Sequence, residues 1–226
     1  MRVKALHAWD LTPTEARALQ ERLRALIVTK GRLTRAKTVA GVDISTSGQR
    51  AHSAVVVLRL SDLQPVEAAE ADLPLAFPYV PGLLAFREGP AILAALERLQ
   101  NEPDVLIFDG QGLAHPRRMG IASHMGLILD RPSIGCAKSL LCGEHGPVGP
   151  AAGDRSEIRD QGEVIGAALR TRAGCRPVYV SIGHKVDLPT AISCVLRCSS
   201  RFRLPEPIRW AHRVAGGSRL PDGIRV

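Results

Sequence analysis

The chain has 226 residues, 45% hydrophobic and 23% charged, a balance ordinary for a globular protein with one substantial core. Thirty Lys and Arg against 22 Asp and Glu leave a formal net charge of +8, which favours a polyanionic partner because cations that neutralise phosphates release condensed counterions; an Arg-rich composition with no binding role would give the same figure. Five cysteines with no Cys-x-x-Cys pair, an N-terminus without a signal peptide's apolar stretch and no run of bilayer length argue against a disulfide framework, secretion and a membrane partner, so the expectation is a single cytoplasmic domain over residues 1–226, a monomer by default.

The first element is a helix opening at Thr12-Pro13-Thr14-Glu15, where Thr12 caps, Pro13 suits the first turn and Glu15 closes a capping box. Ala16, Leu19, Leu23 and Ile27 form its apolar stripe, so it reads as a packing helix over about 12–27, with Arg17, Arg22 and Arg24 on the solvated face. Valine-rich runs over 38–46 and 52–60, separated by Ser47-Gly48-Gln49-Arg50, read as a hairpin, with a third strand around 66–71. After Pro78-Tyr79-Val80-Pro81-Gly82, a helix is expected over about 88–99, Pro90 being tolerated if it falls in the first turn; this puts Glu88 near a helix start.

Residues 105–108 form a short continuous apolar run, the mark of a strand covered on both faces. A helix near 118–129 and strands at 133–137 and 177–181 continue the alternation, which gives an α/β architecture. The Gly- and Pro-rich stretch 143–162 reads as a surface excursion. Helices over about 187–198 and 205–215 complete the chain, and the tail from about 216 is expected to be loose. Cys194 and Cys198, four apart in a helical pattern, read as core rather than as metal ligands.

Three acids stand out against this frame: Asp43 in Val39-Ala40-Gly41-Val42-Asp43-Ile44, Glu88 in Phe86-Arg87-Glu88-Gly89-Pro90, and Asp109 closing Val105-Leu106-Ile107-Phe108-Asp109. A carboxylate ending an apolar strand is costly to desolvate without a cation or a hydrogen-bonding partner. Magnesium is the natural candidate, because a hard divalent ion takes oxygen ligands and can keep positions open for phosphate. An acid on the first strand, an acid on a helix after three strands, an acid ending the fourth strand and His212 on a C-terminal helix follow the order of a ribonuclease H-like nuclease site.

Around those positions the sequence resembles the endonuclease V family. Residues 78–88, Asp109-Gly110-Gln111-Gly112-Leu113-Ala114-His115-Pro116-Arg117 and Gly135-Cys136-Ala137-Lys138-Ser139 carry the resemblance, and Gly162-Glu163-Val164-Ile165-Gly166, Ser181-Ile182-Gly183-His184-Lys185, Leu204-Pro205-Glu206-Pro207 and Ala211-His212-Arg213 extend it over residues 10–214. The resemblance implies a ribonuclease H-like fold with a central mixed β-sheet flanked by helices, Mg²⁺ dependence with Mn²⁺ as substitute, and cleavage of deoxyinosine-containing DNA. The implied cut is at the second phosphodiester bond 3′ to the lesion, leaving 3′-hydroxyl and 5′-phosphate ends. An inosine-specific endoribonuclease and a non-catalytic binder of inosine-containing nucleic acid are the alternatives, and no repair partner is implied.

Residue by residue, Asp43 and Asp109 are expected to hold metal, and Glu88 to bind metal or orient the attacking water. His212 suits proton relay near neutral pH. Lys138 would read from spacing alone as a surface lysine, and the resemblance turns it toward the scissile phosphate. Tyr79, presented by Pro78, Val80 and Pro81, resembles a wedge that enters the space left by a displaced base; the alternative is a ring covering the core edge. His115 is either a phosphate contact or a histidine bonded within its loop. Gly82, Gly110, Gly120 and Gly135 are candidates for the walls of a base pocket, with ordinary turn chemistry as the alternative for each.

Overall fold

Thr12 starts the first helix as expected: its hydroxyl accepts the Glu15 N–H, and the Glu15 carboxylate accepts the Thr12 N–H at 2.7 Å, which launches α1 (Pro13–Leu23). The computed structural model describes every residue except Arg2, Asp222, Gly223 and Val226. Strands β1 (Thr38–Ser47), β2 (Arg50–Arg59) and β3 (Pro65–Pro74) form an antiparallel meander, with the expected Gly48 turn between β1 and β2. Helix α2 (Leu84–Glu97), strand β4 (Val105–Phe108), helix α3 (Ile121–Leu129) and strand β5 (Ser133–Ala137) follow. Strands β6 (Glu144–His145), β7 (Arg155–Asp160), β8 (Glu163–Leu169) and β9 (Val178–His184) then lead to α4 (Leu188–Arg197) and α5 (Glu206–Ala215).

One sheet runs β3-β2-β1-β4-β5-β9-β8-β7-β6. β1, β4 and β5 are parallel neighbours and the remaining pairs are antiparallel, so the sheet is mixed and the fold is ribonuclease H-like. Its faces bury separate apolar layers. Val39, Val56, Ile107, Ile134 and Val180 meet α4 and α5 through Val195 and Ile208, while Ala40, Val42, Leu106 and Phe108 meet α2 and α3 through Ile92 and Met125. All four residues of β4 are buried, which is why its sequence shows no alternation. α1 packs outside the second layer, where Leu19 and Leu23 join Phe86 and Met119.

Several expectations are corrected. α2 begins at Leu84, so Glu88 lies in its second turn and Pro90 lies inside the helix; the N-cap Leu83 makes no side-chain capping bond, so no polar signal marked the start. α3 begins at Ile121, because Arg118 takes a left-handed φ of 54° and Gly120 is the N-cap. The stretch 143–162 holds β6 and β7, and β8 follows; the Gly and Pro residues cluster in the β6–β7 connection. The tail is tied down at Arg225, whose carbonyl accepts the Ala68 N–H at 2.8 Å. All five cysteines are free thiols, with Cys136, Cys194 and Cys198 buried. Among the described residues no helix is long and apolar enough to cross a membrane.

Candidate active site

Val42 and Phe108 are the last partners in the parallel β1–β4 ladder, so the residues that follow them lie side by side: Asp43 continues within β1, opposite Ala54 of β2, and Asp109 leaves the end of β4. The Asp109 N–H still donates to the Val42 carbonyl at 3.2 Å, which keeps the residue after β4 in register with β1. Glu88 reaches the same place from α2, and the three carboxylates line one cavity of about 110 Å³ walled by Ile92, Phe108 and Ile121.

Gathering acids against apolar walls raises their proton affinity. Burial, then the charge of Asp43 with a smaller addition from Asp109, pushes the Glu88 carboxyl up to about 8 against the pull of Arg87. Burial also raises Asp109, opposed by the ammonium of Lys138, whose Nζ sits 2.5 Å from Asp109 Oδ2. Lys138 follows β5 directly, and β5 is the parallel neighbour of β4, so the sheet brings the lysine to the acids. Its side chain is 42% exposed, yet it is held in the site by this ion pair.

His212 arrives from the opposite layer. Its Nδ1 lies 2.7 Å from Asp43 Oδ2, and its side chain is 64% exposed. The approach of α5 to β1 makes this possible: a Cβ on Gly41 would stand 1.9 Å from the Pro207 carbonyl oxygen, and Ser45 Oγ donates to the Ala215 carbonyl at 2.7 Å. Glycine at 41 therefore lets the helix lie on the strand with His212 above Asp43.

The donor set fits a hard cation in chemistry. Three carboxylates share one cavity, and two of them have proton affinities raised by burial, which a divalent ion would relieve. Among the described residues no three His, Cys, Asp or Glu side chains are already gathered tightly enough to hold one ion. Lys138 and His212 hydrogen-bond Asp109 and Asp43 instead.

A second cavity of about 510 Å³ opens beside the acids, and Asp43, Asp109, Lys138 and His212 form one side of it. Tyr79, Val80, Pro81 and Gly82 form another side, with Gly110 and Gly120 behind them. Tyr79 is 72% exposed, so its ring stands out from the loop rather than covering the core. Pro78 is exposed and lies outside the cavity wall.

Gly135 is a correction to the expected pocket. It lies within β5, where a Cβ would come 2.4 Å from the Gly112 nitrogen, so it lets the 110–112 turn sit down on the sheet instead of facing the cavity. His115 lines the larger cavity and is also hydrogen-bonded within its loop. It is 2% exposed, its Nε2 donates to the Gly82 carbonyl at 2.9 Å, and its Nδ1 accepts the Arg117 N–H at 3.1 Å. Burial lowers its pKa to about 4, which favours a neutral ring bonded at both nitrogens.

Two residues of this region were not singled out from the sequence. Gln20 is polar on an otherwise apolar stripe, yet it is 1% exposed and touches the cavity from α1. Gln111 lines the cavity and donates from Nε2 to the Ser139 carbonyl at 2.8 Å, which fastens the Asp109 turn to the segment after Lys138.

The family model described as Endonuclease V matches residues 21–213. Endonuclease V of Methanothrix thermoacetophila is 53% identical over 212 residues, covering 94% of each chain, and that of Myxococcus xanthus is 54% identical over 218 residues, covering 95% of this chain and 93% of its own. The crystal structure of the Streptomyces avermitilis endonuclease V superposes with a TM-score of 0.89 at 38% identity, over 96% of this chain and 97% of the other. The Ciona intestinalis enzyme, solved with a 24mer DNA containing an inosine followed by a ribo-adenosine, gives 0.80 at 30% identity over 90% and 96%.

Proposed function

Because the chain belongs to the endonuclease V family, we propose that it is a DNA repair endonuclease that uses a divalent metal to nick the second phosphodiester bond 3′ to deoxyinosine, leaving 3′-hydroxyl and 5′-phosphate ends. The observation that carries this reading is the placing of Asp43 and Asp109 side by side where the parallel β1–β4 pairing ends, with Glu88 facing them across one cavity and a larger cavity alongside.

Asp43, Asp109 and Glu88 would hold Mg²⁺, with Mn²⁺ as a substitute; when bound, the ion supplies charge stabilisation to the phosphoryl oxygens and lowers the pKa of the attacking water. The remaining work falls to the protein. Asp43 fixes the His212 ring through Nδ1, leaving Nε2 on the solvent side to take or relay a proton. Lys138 brings a cation to the scissile phosphate from its position beside Asp109. Tyr79 stands where its ring can replace the displaced base in the stack, and the larger cavity receives that base. Hypoxanthine offers an acceptor at O6 and a donor at N1, where adenine offers the reverse. Backbone groups around Gly82, Gly110 and Gly120 can therefore favour one edge by leaving the other mismatched.

A second reading, an inosine-specific endoribonuclease, draws support from the ribo-adenosine that follows the inosine in the Ciona strand. Matched inosine-containing DNA and RNA strands separate the two by their relative cleavage rates. The primary test is strand cleavage of a duplex carrying one deoxyinosine, run with magnesium, with calcium and with chelator. Magnesium-dependent nicking at the stated bond supports the proposal; binding without turnover would reduce the protein to a reader of inosine.

A further inference from the structure

Gln20 projects from the middle of α1, an element that contributes none of the acids, and is sealed from solvent at 1% exposure. Its side-chain amide makes three hydrogen bonds. Nε2 donates to the Gly82 carbonyl at 3.0 Å and to the Met119 carbonyl at 2.9 Å, and Oε1 accepts from Arg117 Nε at 2.6 Å. Two carbonyls and one guanidinium fix which end of the amide is oxygen and which is nitrogen.

The two carbonyls belong to different walls of the larger cavity. Gly82 ends the loop that displays Tyr79, and Met119 precedes Gly120, the N-cap of α3. The Gly82 carbonyl is gripped by three donors in all, since His115 Nε2 and Arg117 Nη2 also reach it, each at 2.9 Å. Gly82 holds a left-handed φ of 79°, and a Cβ there would come 2.8 Å from Arg117 Nη2, so the loop has no slack on that side. Only an amide of this length supplies two donors and one acceptor at that point. Glutamate lacks the donors, arginine lacks the acceptor and asparagine is shorter by a methylene.

We infer that Gln20 is a positioning residue for substrate, the strut that sets the distance between the Tyr79 loop and the Gly120 wall and so fixes both the wedge and the width of the base cavity. The inference rests on the proposed function. Gln20 acts through Tyr79 and Gly82, while Asp43, Asp109 and His212 are held by the sheet and α5 independently of it.

The test is a double-mutant cycle on the full chain, reading affinity for a one-inosine duplex in chelator and single-turnover nicking in magnesium. Gln20→Met keeps the length of the side chain and removes all three bonds. It is expected to weaken duplex binding about tenfold, and to slow nicking at saturating enzyme much less than that, because the strut acts on docking. In a Tyr79→Ala background the same substitution is expected to cost less than about threefold, since the loop it positions has lost its ring. A generalised loss of stability would not show this coupling, and Gln20→Glu supplies a second variant: it keeps the acceptor for Arg117 but turns both donated bonds into repulsions, and is expected to bind worse than Gln20→Met. Equal effects of Gln20→Met with and without Tyr79, or folded variants that bind as the parent does, overturn the inference. A parent protein that does not nick the inosine duplex overturns the functional reading instead.

Discussion

Asp43 and Asp109 lie one residue beyond Val42 opposite Phe108, the last pair of the parallel β1–β4 ladder, so the sheet itself brings two like charges together where β4 ends and β1 runs on. The protein compensates with one base on each: His212 on Asp43 and Lys138 on Asp109. Removing either carboxylate therefore takes out a proposed metal ligand and frees a base that was bound to it.

The direct consequence is that Asp43→Asn and Asp109→Ala should each abolish magnesium-dependent nicking, by about 10³-fold or more, while inosine-duplex affinity in chelator stays within a few-fold of the parent. Gel-resolved nicking and fluorescence anisotropy on the same preparations measure the two. A well-folded variant that still cuts at a near-normal rate would falsify the metal assignment.

Glu88 gives a prediction with a definite sign. Its folded pKa of about 8 lies above the usual carboxylate value, so without metal the folded state holds a proton that the unfolded state has already released. The resulting stability is fully present below about pH 4.5 and is lost as pH rises through about 8. Glu88→Gln cannot ionise and should therefore gain stability on the metal-free parent as pH is raised from 6 to 9. Protons also compete with the cation, so the magnesium concentration for half-maximal nicking by the parent should fall over the same range. Thermal midpoints in chelator and magnesium titrations at several pH values read these two effects, and a flat difference between parent and Glu88→Gln would contradict the first.

The sheet and the acids were legible because their signals are local. Val105–Phe108 is an uninterrupted apolar run closed by an acid, and β1 and β2 flank a glycine turn. The start of α2 was not legible, since Leu83 caps without a side-chain bond and Pro90 mimics a first turn. β6 and β7 were hidden by a Gly- and Pro-rich connection that suggested loop throughout 143–162. Gln20 was invisible for a different reason: its three partners lie 62 to 99 residues away, and nothing within α1 marks a buried amide. Gly135 failed as a pocket residue because a glycine that admits backbone from below looks the same in sequence as one that admits a ligand.

Tyr79 is expected to act on distorted duplex rather than on the chemistry. Base stacking on an aromatic ring is worth about 1–3 kcal/mol, so Tyr79→Ala should lose on the order of 5- to 150-fold in duplex affinity. A flexible single strand carrying the same inosine has less stacking to replace and should suffer less. Parallel titrations of the two substrates decide the point, and equal losses on both would count against a wedge.

Gly110 offers a cleaner probe of the base cavity than Gly82, whose left-handed backbone would strain any replacement. At Gly110 an added Cβ meets only a methyl of Ile121, at 2.7 Å, on the cavity wall. Gly110→Val should thus suppress nicking of an inosine duplex more than nicking of an apurinic duplex, which brings no base to the cavity. The ratio of the two rates is the measurement. If that ratio is unchanged in a folded variant, the displaced base does not lie against Gly110.

His124 predicts how the fold responds to acid. The ring is fully buried on α3, stacked with Trp9 at 5.9 Å between centroids, and its Nε2 lies 2.7 Å from Nε2 of His7. Burial, and then the neighbouring His7, lowers its pKa to about 3. The unfolded chain takes up this proton near pH 6.5 and the folded chain only near 3, so the stabilising contribution is complete above about 6.5 and is lost as pH falls across that window. One such group gives a slope of about 1.4 kcal/mol per pH unit, and His115, lowered to about 4 by burial, adds in the same direction. Denaturant unfolding of the parent at pH 7.5, 6 and 5 should therefore show a steep fall. His124→Gln cannot take up that proton, so its stability should decline by about one proton's slope less, whatever its stability at neutral pH. Parallel declines for the two proteins would mean that His124 is protonated in the folded state despite its burial.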